Sequence, residues 1–149
     1  MAEVLKVENL SVSFYTPGGE VQAVRNVSFS LERGEVLAIV GESGCGESVL
    51  CRSIMGLLPR TARVKSGSIT AGDLEITGCR ERELCRLRGK LFSMVFQDPM
   101  TALDPTMTIG EQIAEAVRVH RRELTGTALR QRVAELMALV GIDRPEERM

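Results

Sequence analysis

The chain has 149 residues, 44% hydrophobic and 26% charged, which suits one soluble globular domain with a real core. Its 19 basic and 20 acidic residues leave a net charge of −1, so no basic field favours nucleic acid. No unbroken run of Val, Leu, Ile, Met, Ala and Phe exceeds five residues, far short of a bilayer span, and the start "MAEVLKVENL" lacks the blocks of a signal peptide. The expected location is cytoplasmic. The four cysteines, Cys45, Cys51, Cys79 and Cys85, form no C-x-x-C pair, and His120 is the sole histidine. Reduced thiols are expected rather than a zinc site.

"VLKVENLSVSF", residues 4–14, alternates patchily and reads as a strand. "TPGGE" is turn chemistry. "AVRNVSFSLE" places Val27, Phe29 and Leu31 on one face and Ser28 and Ser30 on the other. The two runs predict a hairpin. "VLAIV", residues 36–40, is continuous rather than alternating, as in a strand buried on both faces. The Gly-rich "GESGCGES" follows, then a predicted helix over 48–58 with Pro59 beyond it. "SGSITAGDLEITG" suggests two short strands around Gly72 and Asp73, and "RERELCRLRG" a short helix whose mixed charges are solvated. "LFSMVF", residues 91–96, reads as another buried strand, with Met94 in the core; Met100 and Met107 fall in the loop or contact region that follows. "QDPMTALDP" carries two Asp-Pro turns. Ile109, Ile113, Ala116, Val117 and Leu124 recur with a helical period. Leu129, Val133, Leu136, Met137 and Val140 form a second helical stripe, capped by Thr127 at its start and Gly141 at its end. His120 is expected on a solvated helix face.

The loop at residues 41–48 nearly fits GxxxxGK[ST], with Glu47 where the motif needs Lys. Glycines let successive N–H groups point inward, and a helix N-terminus behind them favours anions. Gly44, Gly46 and the amides of Glu47, Ser48 and Val49 would form such a cradle, with the Ser48 hydroxyl beside it for Mg²⁺. The glycine spacing alone also suits an ordinary turn. A buried strand before the loop and a helix after it favour the phosphate-binding reading. Read without further context, Phe14 is a strand core residue.

"GEVLAIVGESGCGESVLCRSIMGLLP" followed by "FSMVFQDPMTALDPTMTIGEQIAEAVRVH" resembles the ATP-binding subunits of ABC transporters, from residue 4 to about residue 145. It is most similar to the branch serving oligopeptide and dipeptide importers, with nickel importers close by. The resemblance implies an α/β fold, a P-loop NTPase of the ABC ATPase type that is incomplete here. It would have an N-terminal antiparallel β segment within 1–97 and the start of a helical subdomain over 98–149. Position by position, Phe14 matches the aromatic that stacks adenine, with Tyr15 as its rival. Gly41, Glu42, Ser43, Gly44, Cys45, Gly46, Glu47 and Ser48 match the Walker A loop, with Val49 behind it. Gln97 matches the Q-loop glutamine, so Ser48 and Gln97 are the expected Mg²⁺ contacts. The implied cofactors are ATP and Mg²⁺, held weakly because of Glu47. The implied partners are transmembrane permease subunits and a second ABC ATPase subunit, identical or different. The implied location is peripheral, on the inner face of the cell membrane.

The family's signature motif, Walker B strand with catalytic glutamate, and switch histidine lie beyond the matched portion. The chain by itself is therefore expected to be inactive as an ATPase, with no catalytic residue assigned. The run "LFSMVFQD" imitates Walker B, but Gln97 stands between strand and acid. One alternative is a short non-catalytic module or gene remnant that docks on a permease or partner ATPase. An unrelated P-loop kinase or GTPase is disfavoured, because the block around Gln97 fits no such pattern. Arg52, one turn into the predicted helix, is a candidate partner for Glu47.

Overall fold

The computed structural model describes residues 3–98 and 102–149. The chain divides into two compact units, Met1–Ser93 and Met94–Met149.

In the first unit, β1 (Glu3–Thr16) and β2 (Gly19–Glu32) form an antiparallel hairpin in which Thr16 pairs with Gly19 across the Pro17–Gly18 turn. β3 (Ala62–Ala71) pairs antiparallel with the other edge of β1, and β4 (Leu74–Glu75) returns along β3 through Gly72 and Asp73. The sheet order is β2-β1-β3-β4. The patchy alternation of β1 has a structural cause. The pairing register shifts between Val7 and Leu10, and Asn9 takes φ +49°. The extra residue lets Val7, Leu10 and Val12 all turn inward. Asn26 does the same in β2. Each bulge amide finds a hydroxyl: Asn9 N donates to Ser28 Oγ at 2.8 Å and Asn26 N to Ser11 Oγ at 3.0 Å. The inner sheet face packs on Leu50 of α1 (Glu47–Ile54) and Leu84 of α2 (Glu81–Leu87), with Val24, Ile69 and Ala71 in the same core.

The segment 36–40 departs from expectation. It forms no strand, and Val36 and Val40 are 93% and 88% exposed. A strand with two apolar faces needs a neighbour on either side, and among the described residues none pairs with it. The expected strand over 91–96 is likewise absent apart from one bridge at Phe92. Helix α1 ends at Ile54 instead of residue 58, where Met55 and Gly56 donate to the Cys51 and Ser53 carbonyls in a closing turn.

In the second unit, α3 (Ile109–His120) packs on α4 (Gly126–Leu139), and a 3-10 turn follows at Pro145–Arg148. The core is Ala114, Leu129, Val133 and Met137. Ala114 replaces the expected Ala116, which is exposed, and Val140 also lies outside the core. Thr108 and Glu111 form a reciprocal capping box at the start of α3. At α4 the expected cap, Thr127, is already helical, and Thr125 holds the N-cap position without a side-chain bond. The end is as expected. Gly141 N donates to Ala138 O and Ile142 N to Met137 O, both at 3.0 Å, a Schellman closure with Ile142 on the core. His120, in the last turn of α3, is half-buried rather than fully solvated. The Asp104–Pro105 turn is held by Thr106, which donates to Asp104 Oδ1 from its amide and its hydroxyl. Gln112 clamps the same turn by accepting from Asp104 N and donating to Asp104 O. Pro99 of the turn expected at Asp98–Pro99, and Met100, lie outside the described residues. Among the described residues, no helix is long and apolar enough to cross a membrane.

Candidate functional site

The glycine loop joins the unpaired segment 36–40 to the N-terminus of α1. Cys45 N donates to Glu42 O at 3.0 Å and closes the first turn. Gly44 and Gly46 then take left-handed backbone, at φ +87° and +103°. Alternating hand of this kind turns amides toward one side. Gly46 is the N-cap of α1 and supplies no side chain to it. The first helical bond runs from Leu50 N to Gly46 O at 2.9 Å, so the amides of Glu47, Ser48 and Val49 precede it. Those amides and the helix dipole favour an anion.

The loop is seated on β2. A Cβ at Gly46 would collide with the Ala23 carbonyl oxygen and stand 3.6 Å from Val24 Cγ2. An open cleft of about 760 Å³ lies along this junction, lined by residues 44–50, by residues 21–25 of β2 and by Phe14 of β1. Phe14 is half-buried and shares the cleft with the loop. Tyr15, 46% exposed, does not line it. Ser48 is exposed within the cleft. Gly41, Glu42 and Ser43 complete the loop at the exposed end. Gln97 is exposed and belongs to the second unit. Arg25 lines the cleft as well, and no sequence signal marks it, since the packing of the loop on β2 is a tertiary contact.

Glu47 is half-buried, and its side chain folds back over the loop. A Cβ at Gly41 would stand 2.9 Å from Glu47 Oε1 and would collide with Cys45 Sγ. Loss of hydration, and then the neighbouring Glu47 carboxylate, push the Cys45 thiol above its ordinary range. The candidate Glu47–Arg52 pair does not form; among the described residues Arg52 is exposed and makes no ion pair. Arg52 starts a turn beyond Glu47, and the Glu47 side chain points the other way, toward Gly41. The backbone of the site therefore suits a phosphate, while one side chain opposes it.

Known proteins are similar to this chain in sequence and in fold. The family model described as ABC transporter matches residues 24–149. The dipeptide transport ATP-binding protein DppD of Bacillus subtilis is 51% identical over all of this chain, which covers 44% of that protein. DppD of Lactococcus lactis is 47% identical over 98% of the chain and 42% of its own length. The oligopeptide transport ATP-binding protein OppD of Escherichia coli is 43% identical over 97% of the chain and 42% of its own length. The chain thus spans less than half the length of these relatives. Among solved structures, an ATP-binding cassette in a dimeric post-hydrolysis state bound to ADP and Pi aligns with TM-score 0.75 at 21% identity, over 94% of this chain and 58% of that one. CbiO1 from Clostridium perfringens, part of an ABC transporter complex, aligns with TM-score 0.67 at 27% identity, over 96% and 52%. The fold is a partial ABC ATPase fold, and with the match running from residue 24 through the glycine loop to residue 149, the chain belongs to the ABC transporter family.

Proposed function

We propose that this chain is the nucleotide-binding portion of the ATP-binding subunit of a peptide importer. The observation that carries the reading is the pair of left-handed glycines, Gly44 and Gly46, opening at the N-terminus of α1 into the cleft that Phe14 also lines. The printed names of the relatives, dipeptide and oligopeptide transport ATP-binding proteins, support the substrate class. Phe14 would stack the adenine ring, and the amides of Gly44, Gly46, Glu47, Ser48 and Val49 would receive the phosphates. Ser48 would hold Mg²⁺, which would neutralise phosphate charge. The second unit belongs to the side that meets transmembrane permease subunits, and a second ABC ATPase subunit completes the working assembly. Such an assembly sits on the inner face of the cell membrane.

Glu47 weakens this site. Exchanging Lys for Glu moves the local charge by two units beside a triphosphate. One unit pair at about 4 Å and an effective dielectric of about 20 is worth roughly 4 kcal/mol before solvent and salt reduce it. A quarter of that, applied twice, costs about 2 kcal/mol, or roughly thirtyfold in affinity. The test is Mg-ATP binding to the chain and to its Glu47→Lys variant, each checked for folding by circular dichroism. The Lys variant is expected to bind at least tenfold more tightly. Two folded proteins that both fail to bind would overturn the nucleotide reading. Equal, measurable affinities would instead show that the backbone cradle suffices.

A further inference from the structure

We propose that Glu47 and Cys45 form an internal latch across the phosphate loop, in which the Glu47 carboxylate occupies space that a bound phosphate needs. The proposal rests on the nucleotide reading above and adds a mechanism to it. Repulsion between Glu47 and a phosphate would act wherever the carboxylate stood near the cradle. The structure goes further. The Glu47 side chain crosses back from the first residue of α1 to Gly41, at the opposite end of the loop. Its Oε1 stands 2.9 Å from where a Gly41 Cβ would be, and Cys45 Sγ closes on the same point. The thiol and the carboxylate therefore meet over the loop, with the thiol as the only partner of proton-donor type in the pair. Gly41 makes this closure feasible, because any side chain there would expel both groups. A nucleotide must displace the carboxylate as well as tolerate its charge. Cys45 is then a restraining residue: it acts on phosphate binding through Glu47.

The latch makes two predictions that simple repulsion does not. Removing the restraint should help binding even though Glu47 stays: Cys45→Ala should raise Mg-ADP affinity about threefold or more over the unaltered chain. Glu47→Ala should raise it at least tenfold, and the double variant should bind no more tightly than Glu47→Ala, since the two changes release one contact. The second readout needs no nucleotide. A thiol facing a carboxylate is a poorer nucleophile than one without it, so alkylation of Cys45 by iodoacetamide, followed peptide by peptide, should speed up several-fold in Glu47→Ala relative to exposed Cys85 in the same sample. Tighter binding by Glu47→Ala without any gain from Cys45→Ala would overturn the latch and leave the nucleotide reading intact. Unchanged alkylation of Cys45 in Glu47→Ala would also overturn it. Absence of Mg-ADP binding by every variant, Glu47→Lys included, would overturn both.

Discussion

Gly44 and Gly46 both hold left-handed backbone, yet only one of them is pressed against the rest of the fold. A Cβ at Gly44 meets nothing within 4 Å, whereas one at Gly46 runs into the Ala23 carbonyl. A substitution at Gly44 pays only the conformational strain of a non-glycine residue at φ +87°, of order 1–3 kcal/mol. At Gly46 the same strain combines with a collision against strand backbone, which has no rotamer to escape into. Gly46→Ala is therefore expected to shift the loop off β2 and to lower Mg-ATP affinity at least tenfold in the Glu47→Lys background. Gly44→Ala is expected to lower it much less. Titration of the two variants side by side tests this, and equal losses would mean that β2 yields to the added methyl group. The same comparison shows what the sequence could and could not reveal at this scale. The glycine spacing and the Lys-to-Glu exchange are visible in "GESGCGES". Which glycine bears on β2, and that Glu47 turns toward Cys45 and not toward Arg52, depend on contacts the local sequence does not encode.

At the scale of elements, α1 is held at both ends. Its N-terminus carries the loop, and its C-terminus is gripped by Arg88, which follows α2. Arg88 Nε donates to Met55 O at 2.9 Å and Nη2 to Gly56 O at 2.8 Å, while Nη1 pairs with Glu81. Only 18% of its side chain is exposed, so these bonds are shielded from water. A cation at a helix C-terminus also complements the helix dipole. Arg88→Ala would leave two carbonyls without their donors and is expected to cost about 3–6 kcal/mol, at the rate for bonds to a charged group. Urea unfolding followed by circular dichroism at low protein concentration measures this, and a loss under about 0.5 kcal/mol would show that water replaces the guanidinium. Glu81 contributes less, being largely exposed. Its hydrogen bond to Arg88 holds its carboxyl below the ordinary range. That contribution is present above the unfolded-state value and fades as the pH falls through the lower folded one. The sequence foretold the elements on either side of this junction: the hairpin at Pro17–Gly18, the turn at Gly72–Asp73 and the charged helix α2. The Arg88 clamp spans more than thirty positions of chain and leaves no periodic trace. The capping box at Thr108 and Glu111 does carry a sequence signature, T-x-x-E, although it was not among the expected features. Thr127 is a cap former by type, but Thr125 takes the N-cap position and the helix opens at Gly126.

For the molecule as a whole, composition predicted burial where the structure shows exposure. "VLAIV" and "LFSMVF" have the residues of a sheet interior, but composition records only an appetite for neighbours and not whether neighbours are present. In the first unit Val36 and Val40 lie open, with Leu37 and Ile39 more than a third exposed. In the second, Val95 is 96% and Phe96 44% exposed. A segment such as 36–40, rich in β-branched residues and lacking charge and proline, presents unpaired backbone donors and acceptors beside apolar side chains. These are the conditions for strand pairing between molecules. The chain studied alone is therefore expected to associate, with a light-scattering mass that climbs as protein concentration rises from micromolar to hundreds of micromolar. Replacing Val36 and Val40 together by Lys puts charge at both ends of the segment and should hold the mass near that of a monomer over most of that range. Neither valine belongs to either buried core, so the exchange should leave the circular dichroism spectrum unaltered. If the unaltered chain stays monomeric throughout and melts in one sharp transition, the open segments are satisfied by the chain itself. If it associates and the double Lys variant associates equally, the contact lies elsewhere, with Val95 and Phe96 the next positions to charge.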